Sequence, residues 1–119
     1  MKTRTNLHTL SALGVFTLCA AFAAAPAAAL DAAAAESLAR QNGCLKCHGI
    51  DKKKDGPSYK EVAARYRGKP AAQSEARLYT HITTGEKAKF PDGHEEDHKI
   101  IKTKDVGQVK NLLQWILSL

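Results

Sequence analysis

A chain of 119 residues with 18 Lys and Arg against 12 Asp and Glu, a formal charge of +6, has room for one domain. It excludes a large α/β enzyme, a repeat array or a multi-strand barrel. Hydrophobic residues at 44% and charged residues at 25% are ordinary for a globular protein, but aromatics at 6% leave a thin side-chain core. Cysteine is confined to Cys19, Cys44 and Cys47, and Met1 is the only methionine.

The N-terminus carries Lys2 and Arg4, then an apolar run from about Leu10 to Ala25, then Pro26 and three alanines before Leu30-Asp31. A basic end, an apolar stretch and small residues at its close predict a secretory signal peptide over 1–29, cut after Ala29, with Ala27 or Ala28 as near alternatives. The run is Ala-rich and falls short of the roughly 20 strongly apolar residues of a span, which argues against a stable membrane anchor. Cys19 follows Leu18 rather than a small residue and is discarded with the leader. The mature domain, 30–119, keeps 16 basic and 12 acidic residues, a formal +4. A domain of this size has a small core and gains from a staple or a large apolar ligand. Export to the periplasm puts Cys44 and Cys47 in an oxidising compartment.

Ala32 to Asn42 reads as a helix stopped by Gly43. Cys44-Leu45-Lys46-Cys47-His48 follows, then a charged loop from Gly49 to Gly56. Tyr59, Val62, Ala63 and Tyr66 repeat at helical spacing until Gly68. Pro70 to Thr84 is the next helical pattern, with Leu78 and Ile82 four apart and Gly85 closing it. Glu86 to Lys104 shows no sustained period and reads as a long loop, a length that points to function. Asp105 caps a last helix with Val106, Val109, Leu112, Leu113, Ile116 and Leu117 on its apolar side. No strand is predicted, and the expected fold is a small all-α bundle of about four helices.

Cys44-x-x-Cys47-His48 carries the chemistry. In an exported chain it reads as covalent attachment of one haem. Two Cys on one helical turn can each form a thioether to a vinyl group, and the adjacent His then stands below the ring as an iron ligand. Three other uses of the motif compete. A thioredoxin-like pair needs a preceding strand and a βαβ context, and neither is visible. A Cys44–Cys47 disulfide closes an unusually small loop. A zinc site needs further ligands, for which His94 and His98 are candidates. Export, the position after one short helix and the all-α pattern together favour haem c.

At these residues the sequence resembles the small bacterial class I cytochromes c. The likeness spans nearly all of 30–119: the short helix into Cys44–His48, Gly56-Pro57-Ser58-Tyr59-Lys60-Glu61-Val62-Ala63, Leu78-x3-Ile82-x2-Gly85, and a closing helix with Trp115-Ile116-Leu117. The resemblance implies a monohaem fold in which the Pro57 carbonyl accepts the free N–H of His48. It also implies that Tyr59 and Trp115 lie against the haem region and that His81 makes a polar contact to a propionate. Trp115 is otherwise expected against the first helix near Leu38.

The family's far-side ligand is a Met from the loop before the last helix, and the mature chain has none. His/Met ligation is therefore excluded. Counting back from the last helix favours His98 as the distal ligand. Counting forward from Gly85 favours His94, and Lys99 or an open position are further options. The expected function is single-electron transfer between redox proteins by a periplasmic bis-histidine carrier that is not an enzyme. Lys46, Lys52, Lys53 and Lys54 after the motif suit a partner with an acidic docking face. Nucleic acid is not an expected partner. The alternative is a haem-based gas-binding or sensing module with a displaceable sixth ligand.

Overall fold

The computed structural model describes residues 28–119. The signal peptide expected over 1–29 therefore lies, save for its last two residues, outside the described residues. Five helices and one two-stranded hairpin follow in chain order: α1 (Ala32–Gln41), α2 (Cys44–Cys47), α3 (Tyr59–Tyr66), α4 (Ala71–Thr84), β1 (Lys87–Lys89), β2 (Glu95–Asp97) and α5 (Val106–Leu117).

Local chemistry sets the helix ends. Asp31 caps α1 by accepting from the Ala34 N–H, and the Ala-rich run that follows is a strong helix former. Gly43, at φ 70°, takes the left-handed turn that separates α1 from α2. α3 opens on a capping box: the Ser58 hydroxyl accepts from the Glu61 N–H, and the Glu61 carboxylate accepts from the Ser58 N–H. Pro70 precedes α4 and Gly85 ends it. Asp105 caps α5 through the Gln108 N–H.

α5 is the centre of the packing, lying against α1, α3 and α4. Its Val109, Leu112, Leu113, Trp115 and Ile116 are buried with Ala35, Leu38 and Ala39 of α1, Tyr59 of α3 and Ile101 of the preceding loop. The start of α1 is also tied to α5 by a reciprocal pair: the Asp31 N–H donates to Asn111 Oδ1 at 2.9 Å, and Asn111 Nδ2 donates to the Asp31 carbonyl at 2.8 Å.

The architecture is all-α in character, with two departures from the sequence reading. The Cys44–Cys47 turn is a helix of its own. The long loop contains an antiparallel hairpin, with Lys87 opposite Asp97, Ala88 opposite Glu96 and Lys89 opposite Glu95. No apolar alternation marks these strands, because they are exposed apart from the half-buried Ala88. Opposite charges face each other across the ladder instead, with Lys87 Nζ 2.7 Å from Asp97 Oδ1.

Candidate functional site

The site is assembled around α2. Cys44 and Cys47 occupy its two ends and are not joined in a disulfide. Cys44 is partly buried and Cys47 exposed. Burial pushes the Cys44 thiol up, partly offset by a hydrogen bond with the Tyr59 hydroxyl. Burial also raises the Tyr59 phenol.

His48 follows at the helix end. Its orientation is set by the loop that the sequence showed only as charged. The Tyr59 N–H donates to the Gly49 carbonyl at 2.8 Å and the Lys60 N–H to the Ile50 carbonyl at 3.1 Å. Lys54 Nζ reaches back to the Leu45 carbonyl at 2.7 Å, and the Gly56 N–H donates to the Cys47 carbonyl at 2.8 Å. This brings Pro57 against His48. His48 Nδ1 stands 2.7 Å from the Pro57 carbonyl oxygen. A carbonyl only accepts, so Nδ1 carries the proton and Nε2 keeps its lone pair. Gly56 makes room for the ring, since a Cβ built there would lie 2.5 Å from His48 Cε1. Tyr59 stacks on the other side, its ring centroid 5.4 Å from that of His48 and the planes within 15°. Trp115 meets Tyr59 edge-on at 5.7 Å.

The loop before α5 delivers His98. Its ring centroid lies 6.0 Å from that of His48 and 4.3 Å from that of His81. Its Nδ1 donates to the Lys99 carbonyl at 3.0 Å, which again leaves Nε2 unprotonated. Burial holds both His48 and His98 below the ordinary histidine range, so both rings are neutral at neutral pH. His81 is turned toward Glu86, with Nδ1 at 3.1 Å from Oε2, and the same oxygen takes Arg77 Nη1 at 2.6 Å.

His94 lies elsewhere. It sits at the exposed tip of the hairpin, stacked on Phe90 at 4.4 Å, with Nδ1 to Asp92 and Nε2 3.2 Å from Glu96 Oε1. The Lys99 ammonium rests over Gly43, 3.5 Å from where a Cβ would stand. Two participants went unread in the sequence. Glu86 bridges Arg77 and His81, and Asn42 joins α1 to the loop behind His98. Nothing in their spacing marks either one.

The donor set fits a covalently held haem. Two unpaired thiols share one turn, a neutral imidazole of fixed tautomer follows directly, and a second neutral imidazole faces it. Half-buried apolar side chains, among them Leu45, Ile50, Val62, Leu78 and Ile82, pack beside the core. Among the described residues, no group of three or more His, Cys, Asp and Glu is placed to hold a bare metal ion.

Comparisons with known proteins agree on one family. A family model described as Cytochrome c matches residues 32–119. The chain is 35% identical over 82 residues to cytochrome c-551 of Allochromatium vinosum, covering 69% of this chain and 82% of that protein. It is 34% identical over 84 residues to cytochrome c-552 of Hydrogenobacter thermophilus, covering 71% and 80%. Among solved structures, the class 1 cytochrome MtoD from Sideroxydans lithotrophicus ES-1 superimposes with a TM-score of 0.70 at 63% identity. That match covers 76% of this chain and 97% of that one. Wild-type cytochrome c552 of Nitrosomonas europaea follows at TM-score 0.56 and 28% identity, covering 71% and 98%.

Proposed function

Because the chain belongs to the cytochrome c family, carries one covalently attached haem c and passes electrons to redox partners, we propose that it does so as a bis-histidine carrier. Cys44 and Cys47 would hold the haem, and His48 and His98 would ligate the iron. When bound, the haem supplies the one-electron couple.

The observation that carries the reading is the His48–His98 pair. Two imidazoles that share one metal, each nitrogen about 2 Å from it, stand about 6 Å apart centroid to centroid. The 6.0 Å separation matches that spacing. Both rings have Nδ1 committed to a backbone carbonyl and Nε2 available. The Pro57 and Lys99 carbonyls fix ring orientation and raise ligand basicity. Tyr59 and Trp115 form an aromatic wall behind His48 that excludes water from its proximal side. The chain offers no thioether past Met1, so the potential should fall below that of His/Met relatives.

The leader over 1–29 would take the chain to the periplasm, where the mature domain 30–119 carries the haem. The mass of the exported protein tests this, and a mass that retains the leader or lacks a haem overturns it. No helix among the described residues is long and apolar enough to cross a membrane. Lys46, Lys52, Lys53 and Lys54 are exposed beside the motif and would steer a partner with an acidic face. An association rate unmoved by salt would remove that role.

The test of ligation is the ferrous spectrum with and without carbon monoxide. Wild type should be six-coordinate and low-spin. His98→Ala should open the sixth position and bind carbon monoxide, whereas His94→Ala and His81→Ala should behave as wild type. One observation favours the gas-binding alternative: among the described residues the His98 ring is hydrogen-bonded only to the carbonyl of its neighbour Lys99, whereas His48 directly follows α2 and is held by both Pro57 and Tyr59. Rapid carbon monoxide uptake by wild type would put that alternative first.

A further inference from the structure

Asn42 is polar yet only 7% exposed. It ends α1 two residues before Cys44. Both ends of its side chain are engaged: Nδ2 donates to the Leu38 carbonyl at 2.9 Å, and Oδ1 accepts from the Lys102 N–H at 2.9 Å. The second bond spans 60 residues of sequence and lands four residues after His98. Around it, the His98 N–H donates to the Glu86 carbonyl and the Ile101 N–H to the Ile82 carbonyl, both at 2.9 Å. Those two bonds hold the loop to α4 and to Glu86, two residues beyond its end. Asn42 holds it instead to α1, the element that leads directly into Cys44, Cys47 and His48. The Lys99 side chain lies over the adjacent Gly43, so the loop rests on this corner as well.

From this geometry we infer that Asn42 is a positioning residue that joins the His48 side of the site to the His98 side and thereby controls how readily the sixth position opens. The inference rests on the reading of His98 as the distal ligand. With Leu at this position the Lys102 N–H loses its acceptor in a partly buried setting, where an unmade hydrogen bond is costly. The loop then keeps its bonds to Ile82 and Glu86 and the packing of Ile101 but loses its hydrogen bond to α1, and His98 leaves more often. Asp keeps the acceptor for Lys102 but replaces the donor to Leu38 with an oxygen that faces that carbonyl.

The test is cyanide binding to the ferric holoprotein, which in wild type should saturate at the rate of His98 departure. That limiting rate should rise about ten-fold in Asn42→Leu, the scale of one buried hydrogen bond, and much less in Asn42→Asp. Ala63→Gly on α3 serves as the control for lowered stability alone and should leave the rate within about two-fold of wild type. Equal rates in Asn42→Leu and wild type, or an equal rise in Ala63→Gly, overturn the inference. If Asn42→Leu does not accumulate as holoprotein, amide exchange in wild type decides. The Lys102 N–H should be protected about a hundred-fold and should open at the limiting cyanide rate. An unprotected Lys102 amide overturns the inference. The two readings fail differently. Cyanide entry that never saturates and does not change in His98→Ala removes His98 as ligand, and this inference with it. Saturation that disappears in His98→Ala beside an inert Asn42 removes this inference alone.

Discussion

Away from its free Nε2, His48 is held by groups with nothing chemical to offer an iron. The Pro57 carbonyl accepts its Nδ1–H, Tyr59 takes one face and Gly56 leaves the room for its ring. Gly56→Ala would push a methyl carbon to 2.5 Å from Cε1 and 2.8 Å from Nδ1, closer than any real contact. The ring must tilt away and lengthen its bond to Pro57. The variant should lose about 1–3 kcal/mol, the range for overpacking, and the ferric spectrum should shift with it. A denaturant midpoint and spectrum both equal to wild type would show that the loop absorbs the methyl group. The Cys44–His48 motif was plain in the sequence because its spacing is its chemistry. Asn42 and Glu86 were not, since a hydrogen bond to a backbone group 60 residues away leaves no local signature.

At the scale of elements, the helices were legible because Gly43, Gly68 and Gly85 punctuate them and capping residues open them. The hairpin was not legible, because charge pairing leaves no apolar period. That omission bears on the loop histidines. Lys87 faces Asp97 across the ladder, so the segment between them is an excursion whose ends meet. Counting forward from Gly85 runs out along the excursion to His94 at its tip. Counting back from α5 avoids it and arrives at His98, beside His48. The tip has its own pH dependence. His94 sits between Asp92 and Glu96, and the Asp92 carboxylate is the main cause that raises its pKa above the usual histidine value, with Glu96 adding to it. Phe90, stacked on the ring, is uncharged. A raised folded-state value means that the protonated form stabilises the tip. That contribution is complete below the unfolded value near 6.5 and is lost as pH rises through the folded one. Amide exchange at Gly93 and His94 should therefore gain protection on acidification from weakly alkaline to mildly acid pH, after correction for the intrinsic rate. A protection factor that is flat across that range would show the contacts to be incidental.

At the scale of the whole molecule, α5 is the element on which the others lean, and Trp115 is its largest side chain. It is 6% exposed and joins α5 to Tyr59 and so, through one ring, to His48. Trp115→Ala should cost about 3–5 kcal/mol, a large share of the roughly 5–15 kcal/mol that stabilises a small domain. A thermal midpoint within a degree or two of wild type would place Trp115 at the periphery. The pairing of Asp31 with Asn111 adds a statement about time. Synthesis runs from the N-terminus, and these partners are 80 residues apart. The apolar side of α1 has no cover until α5 has been made, and contacts this distant in sequence form late. Cys44, Cys47 and His48 thus emerge early, on a chain still without its keel. A covalent step at the two thiols that comes before α1 and α5 pair meets an open chain, and one that comes after meets a pair of which only Cys47 is exposed.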